Sequence, residues 1–368
     1  MALSKIDPAG LDIGQIGGRR NIVQNGDMRI IQRGAGPFTT NGDYPIDRFR
    51  SLVGGTGAAM SAQQDSDAPA GFNHSFKYTV TSPNTANDGS SRIATTLEGL
   101  DIAHLNFGSA NAQTVTISFW VKSSVTGTYA FALLNGDNTR SYVTEYSISS
   151  ASTWEKKTIT IAGDTSGTWS TTNTGGVQLR WPFNSRTSWN PSALDQWETG
   201  QYMTSPNAVD FIGTNGATFY LTGVQLEVGS VATPFEHRSY GEELALCQRY
   251  FERIQDFDPQ SRDDNGSPAS EVLVGLGLAY SSTRVLARMD GWKVTKRTPP
   301  TVSISTNSEL QVIQTGAWTS VTFTTFRASI FGCRIDLNHS GSFTAGGAVE
   351  LRFVPDAGDA YIEADAEL

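Results

Sequence analysis

Cysteine, histidine and charge are all scarce in this chain, and each scarcity removes a class of function. Its 368 residues include two cysteines, Cys247 and Cys333, and four histidines. Two thiols so far apart make no disulfide framework, and His74, His104, His237 and His339 are scattered, which excludes a zinc site. Both cysteines read as buried free thiols. Charged residues make up 17% of the chain and the net charge is −9. No basic block is present to neutralise phosphates, so nucleic acid is not an expected partner. The densest basic group, Lys293, Lys296 and Arg297, reads as the solvated edge of a strand. No apolar run is long enough to cross a membrane. Residues 1–20 lack the apolar stretch of a secretory signal, so synthesis in a cytoplasm without membrane insertion is expected.

Catalytic patterns are missing too. There is no GxSxG elbow, and the glycine clusters Gly54-Gly55-Thr56-Gly57 and Gly346-Gly347 lack the Lys-Ser/Thr of a phosphate loop. Glycoside hydrolysis needs two carboxylates facing across a cleft. The available pairs, Asp195 with Glu198 and Asp263 with Asp264, lie in polar loops and read as solvated acids. No enzymatic activity is expected.

The chain is rich in glycine (37 residues) and aromatic residues (10%), with abundant Ser and Thr. That composition suits an all-β protein with a hydroxyl-coated surface. Short strands are expected along it, at Ser75 to Thr81, Ser91 to Leu97, Thr114 to Lys122, Tyr129 to Leu134, Ser141 to Ile148, Trp154 to Ile161 and Val177 to Trp181, with a clean period of two at Thr114 to Lys122. Their spacing of roughly 10–20 residues predicts a β-sandwich or jelly-roll. In the next strand, Phe219 to Val228, unbroken alternation assigns Tyr220, Thr222, Val224, Leu226 and Val228 to the more apolar face. Ser239 with Glu242 forms a capping-box pattern that opens a short helix. Beyond it, strands from Glu271 to Ala366 predict a second all-β unit, with Leu276, Leu278, Val285 and Leu286 in its core. The expected organisation is an arm at 1–20, a jelly-roll at 21–238, a linking helix at 239–254 and a smaller β domain at 255–368.

One stretch combines rings with planar polar groups. Trp169, Trp181, Trp189, Trp197 and Tyr202 stand among Arg186, Asn190 and Asp195, partly in a loop without strand alternation. Flat rings stack on sugar faces while amides, acids and guanidinium groups read hydroxyls, so these eight residues are candidates for glycan contact. The same rings also suit the pinning of a long loop or a subunit interface.

The run GVQLEVGSVATPFE, followed by ELALCQRYFE and preceded by NIVQNGDMRIIQRG at 21–34, resembles a recurrent family of bacteriophage and prophage virion proteins. These are tail-fibre or tail-surface proteins with a jelly-roll similar to a carbohydrate-binding module. Over roughly residues 21 to 252 the resemblance implies a structural role in the virion and, less strongly, a ligand, for which a host surface glycan is the candidate; the spaced aliphatics Leu3, Ile6, Leu11, Ile13 and Ile16 of residues 1–20 read either as an arm that attaches to other tail proteins or as a loose terminus. The resemblance brings no catalytic residues. Similar jelly-rolls hold a structural calcium near the opening NGD and the last strand. Here Asp27 matches the first position, but Thr222-Gly223 stands where the second acid belongs, so no cofactor is expected and Asp27 reads as a turn acid. Fibre proteins are symmetric oligomers, and a homotrimer is expected. Three readings follow: a receptor-binding tail fibre, a purely structural baseplate, adaptor or head-decoration protein, and a glycan depolymerase.

Overall fold

Val115, Ile117, Phe119 and Val121 alternate along strand β5 (Val115–Ser123), and all four side chains are fully buried. The same period-two logic builds β1 (Phe49–Leu52), β2 (Ala59–Asp65), β3 (Ser75–Ser82) and β4 (Arg92–Glu98) before it. After it come β6 (Gly127–Asn135), β7 (Arg140–Ile148), β8 (Glu155–Ile161), β9 (Gly175–Pro182), β10 (Trp197–Thr199) and β11 (Thr218–Val228). A computed structural model of the chain describes residues 19–84, 86, 89, 91–184, 186–255, 273–289, 291–305, 310–314, 317–339, 343–353 and 361–368. The expected arm, as far as residue 18, and the polar loop expected from Asp256 to Ser270 lie outside the described residues.

The eleven strands form two antiparallel sheets, ordered β1-β4-β9-β6-β7-β10 and β2-β3-β11-β5-β8. Their inner faces close on one core that includes Phe119, Phe131, Trp181 and Phe219. This is the jelly-roll sandwich expected from the spacing of the strands. Between β4 and β5 a single turn of helix, α1 (Gly99–Ile102), buries Ile102.

Strand β11 departs from its expected alternation. It sits in the middle of the five-stranded sheet, between β3 and β5, and its pairing with β5 shifts register between Thr222 and Gln225. Gly223 makes that bulge: its φ is +61°, and a Cβ there would lie 2.8 Å from the Phe72 ring and 2.9 Å from Trp120. The extra residue reverses the parity of the strand. Phe219 and Leu221 therefore face the core before the bulge, and Val224 and Leu226 after it.

The chain divides into Met1–Glu243 with Leu368, and Leu244–Glu367. The boundary falls inside helix α2 (Tyr240–Gln248), whose first turn is capped by Ser239 Oγ accepting from Glu242 N at 3.3 Å. In the second unit β12 (Phe251–Gln255), β20 (Tyr361–Asp365) and β15 (Thr301–Ile304) form a three-stranded sheet in the order β12-β20-β15. The strands β13 (Leu273–Ser281), β14 (Arg284–Met289), β16 (Leu310–Gln314), β17 (Ala317–Ser329), β18 (Gly332–His339) and β19 (Ala348–Phe353) close into a barrel.

Two expectations about this unit are corrected. Leu276 and Leu278 are not core residues; they point outward at 55% and 56% exposure, while Gly275, Gly277 and Ala279 take the inward positions, and Leu286, also expected in the core, is half-buried on the same outer side. The barrel strands pack too closely for more: a Cβ on Gly277 would lie 2.2 Å from Leu286 O. Val285, Ile335 and Leu351 fill the interior. Nor is the Lys293–Arg297 group a solvated edge. Lys296 is buried and pairs with the buried Glu252 at 2.6 Å. Both cysteines are buried and unbridged.

Candidate functional site

The six-stranded sheet presents its second face outward, and that face is built from residues that alternate with the core. On β1 these are Arg50 and Leu52, on β4 Arg92, Ala94 and Thr96, and on β9 Gln178 and Arg180. Register sets them in rows: Arg50 opposite Ala94 and Ala94 opposite Arg180, Leu52 opposite Arg92, Thr96 opposite Gln178.

Half of this outward face is roofed by the chain between β9 and β11. Ala130, Ala132 and Leu134 of β6 and Val143 of β7 meet Met203 of that segment, and Trp189, Leu194 and Tyr202 pack against the cluster. The other half is open. Over β1, β4 and β9 lies a groove of about 390 Å³, within the range of small-ligand sites. Arg50, Arg92 and Arg180 line it together with the amides of Gln178, Asn138 and Gln201 and the ring of Tyr44. Gly136 and Gly175 form the end of the floor, so close that a Cβ on Gly136 would lie 1.9 Å from Gly175 O.

The electrostatics of the groove are one-sided. Arg180 is buried, at 4% exposure, yet its described partners are neutral: Asn138 Oδ1, Gln178 Oε1 and Met203 Sδ. Burial, and after it the charge of Arg92, pulls the Arg180 guanidinium down to about 9. Burial and the charge of Arg50 likewise pull Arg92 down to about 10. Since arginine keeps its proton in proteins, these shifts describe cations held at a cost. Arg50 donates from Nε to Gly42 O at 3.1 Å and lies 5.9 Å from the Tyr44 ring centre. Arg48 is also buried, in the left-handed region at φ 71°, and donates to Thr96 O. A non-glycine residue in that region stores strain, which tends to collect at functional sites.

The eight residues expected to contact glycan do not come together. Trp181 is corrected outright: it is fully buried against Phe119 and Phe131, at centroid distances of 5.6 and 5.3 Å, with no face left for a ligand. Trp169 and Trp197 stand edge-to-face at 5.4 Å, with Phe107 against Trp169 at 4.8 Å and Tyr142 against Trp197 at 5.4 Å. Their indole nitrogens donate to Ser166 O at 3.2 Å and Ala162 O at 2.7 Å. This is loop-pinning geometry.

Trp189 and Tyr202 lie on the outward side, packed on the roofed cluster, with the Arg186 guanidinium 4.6 Å from the Trp189 ring centre. Asn190 Oδ1 accepts from Thr204 Oγ1 at 2.7 Å, and Asp195 accepts from Thr144 Oγ1, so both serve the fold of the loop. Glu198 gathers that loop: it accepts from Ser192 N at 3.0 Å, Ser192 Oγ at 2.6 Å and Ala193 N at 2.8 Å. Burial raises its pKa, but these hydrogen bonds outweigh it and hold the carboxyl down at about 2.

Asp27, the calcium candidate, pairs with Arg29 at 2.9 Å, and burial is the largest influence on its raised pKa. Among the described residues no group of three His, Cys, Asp or Glu side chains could hold a metal ion.

The arginines of the groove are what sequence reading missed. Each sits at an outward position of a strand whose alternate residues are apolar, Phe49 beside Arg50, Ile93 beside Arg92, and Leu179 and Trp181 beside Arg180. That pattern is legible, but only the strand order β1-β4-β9 makes the three neighbours.

No family model matches the chain, and no curated protein does. Among solved structures it is similar to the enzymatically active domain of tailspike protein 4 of bacteriophage CBA120, at 11% identity and a TM-score of 0.32. That likeness covers 56% of this chain and 21% of the tailspike chain. It is similar also to the family 11 carbohydrate-binding module of Clostridium thermocellum solved with a mixed-linked tetrasaccharide, at 12% identity and a TM-score of 0.28, covering 54% of this chain and 99% of the module. The tandem CBM22 domain of Paenibacillus barcinonensis Xyn10C matches at 11% identity and a TM-score of 0.27, over 90% of this chain and 99% of its own.

Proposed function

We propose that this chain is a phage virion surface protein of the tail-fibre kind, and that its jelly-roll unit binds a host surface saccharide in the open groove over β1, β4 and β9. The observation that carries the binding reading is the groove itself: an outward, unroofed hollow of about 390 Å³ with amides, guanidinium groups and a tyrosine ring converging on it. Sugar hydroxyls are read by such planar polar groups, and a hollow left open beside a carefully roofed half-sheet is concave in the way ligand sites are. Support for the virion comes from the likeness of the two end motifs to phage and prophage tail proteins. The reading is of a binding protein rather than an enzyme. Assembly into a homotrimer, with residues 1–20 attaching to tail partners, completes it, and several copies would turn weak contacts into avidity.

A glycan-array screen of the full chain tests this, beside a Thr96→Trp variant that fills the floor of the groove. The expected result is saccharide binding that the variant abolishes while its unfolding midpoint stays near that of the parent. A second reading, a purely structural virion component, is favoured by the packing roles of Trp169 and Trp197. Its outcome in the same screen is a folded chain that binds no saccharide at all.

A further inference from the structure

Arg180 is a buried cation that meets only neutral partners: an asparagine, a glutamine and a methionine sulfur. Arg50, on the rim of the same groove, has a carbonyl oxygen and a tyrosine ring as its described partners. Three other cations of this unit meet carboxylates. Arg140 holds the buried Asp164 at 2.7 Å, Arg238 holds Glu243 at 3.2 Å, and Lys77 holds Asp65 at 2.9 Å. A chain with more acids than bases has carboxylates to spare, yet among the described residues no Asp or Glu side chain lines this groove; Leu368, to whose backbone oxygen Tyr44 Oη donates at 3.1 Å, stands at its rim. Concentrating cations against their own repulsion, in a place where burial weakens water's screening, costs stability. Such a cost is repaid when an anion arrives.

We infer that the groove takes an acidic saccharide, whose carboxylates are received by the guanidinium groups of Arg50, Arg92 and Arg180. The inference rests on the saccharide-binding reading above and names the class of sugar. Three features select that class. Guanidinium groups offer flat forks that match a carboxylate. Repulsion runs from Arg50 to Arg92 and from Arg92 to Arg180, so the cations form a row across three strands rather than a single cup. Between them stand the neutral amides Gln178 and Asn138 and the hydroxyl of Thr96, which suit the uncharged parts of a sugar ring.

Titration calorimetry of the full chain with oligogalacturonate, and with the same oligomer fully methyl-esterified, tests the inference because esterification removes every carboxylate charge and adds only a methyl group to each. The acid form should bind on the order of tenfold or more tightly, the worth of one charge-assisted hydrogen bond, and raising the salt should erase much of that advantage. Arg180→Gln should lose about tenfold for the acid form and little for the ester. Arg50→Gln, at an exposed position that the fold tolerates, should show the same selectivity loss, so a misfolded Arg180 variant leaves the question answerable. Equal binding of acid and ester overturns the inference and leaves the saccharide reading standing. Binding of neither oligomer, together with a blank glycan array, overturns both. Inorganic phosphate displacing the oligomer at equal concentration would make the groove a free-anion site and overturn the saccharide assignment.

Discussion

Trp181, Trp189 and Trp197 fall within one short run of sequence, and the fold sends each in a different direction. Trp181 is an inward residue of β9 and fills the core, Trp189 lies on the roof of the outward face, and Trp197 joins an edge-to-face cluster with Trp169. Residue type left glycan contact and aromatic packing both open, and which face a ring meets is set by strand parity and by the loop's path. The inward side of Trp181 was legible in the alternation of Val177, Leu179 and Trp181, but the stretch that holds Trp189 and Trp197 lacks alternation. Glu198 read as a solvated acid beside Asp195, and the donors that converge on it from Ser192, Ala193 and Gln196 were not legible for the same reason. Its effect is testable by pH. A carboxyl held at about 2 in the folded chain, below its ordinary value near 4.5, contributes stability that is fully present above that ordinary value and is lost as pH falls toward 2. The neighbouring Trp197 reports it: fluorescence from the loop should change between about pH 4.5 and 2, and Glu198→Gln should flatten that response. An unchanged fluorescence titration in the variant would show that another group governs the loop.

At the scale of elements, the two motifs that carried the family resemblance are the parts that close the sandwich. Asn21 donates from Nδ2 to Val224 O at 3.0 Å and accepts from Leu226 N at 3.1 Å, so it clips the opening segment to β11. Glu236 accepts from Asn21 N at 2.9 Å, and Arg238 donates to Val23 O at 3.1 Å. Asn25 sits in the left-handed region at φ 55°, its side chain bonded to Ile30 and Asp47. Glu243 accepts from Asn25 N at 2.6 Å and pairs with Arg238 at 3.2 Å, both side chains 4% exposed. The strands and the start of the capped helix were readable from periodicity and from Ser239, but the helix stops at Gln248 and Phe251–Gln255 pair as β12 instead of carrying it to 254. The bulge at Gly223 was not readable, because one glycine in an alternating run gives no sign of reversing it. Removing one partner of a buried ion pair is costly, and Arg238→Ala should lower stability by about 3–5 kcal/mol at neutral pH. Burial already raises the pKa of Glu243, against the lowering influence of Arg238. A raised carboxyl favours folding below its unfolded value and loses that contribution as pH rises through the folded value. Without Arg238 the loss grows, so the variant's deficit relative to the parent should shrink as denaturation is repeated from pH 7 down to pH 4. A deficit independent of pH would mean that the ion pair is not what the arginine supplies.

For the whole molecule, the question is what the barrel of the second unit does with an apolar outer surface. Leu276, Leu278 and Tyr280 of β13 are 55%, 56% and 66% exposed. They border an open hollow that also takes in Leu286, Arg288 and Arg334. Their apolar character placed Leu276 and Leu278 in the core on sequence alone, and the exposure of both overturns that reading. Alternation could not say that the barrel interior admits only glycine and alanine at the facing positions, which turns the large side chains outward. A closed barrel has no free edges to extend by strand pairing, so what the patch offers is a face, and contiguous exposed apolar faces of soluble proteins mark interaction surfaces. If the proposed fibre role holds, copies of the same chain are the occupants that its symmetry supplies. Light scattering on the purified chain should then give a mass three times the 39.6 kDa protomer. Leu276→Glu with Leu278→Glu places charge on the contact without touching the barrel core, and should return the mass to that of one protomer with the circular dichroism unchanged. A parent that already runs as a monomer at micromolar concentration would sink the trimer, and a variant that stays trimeric would move the contact to another surface of the chain.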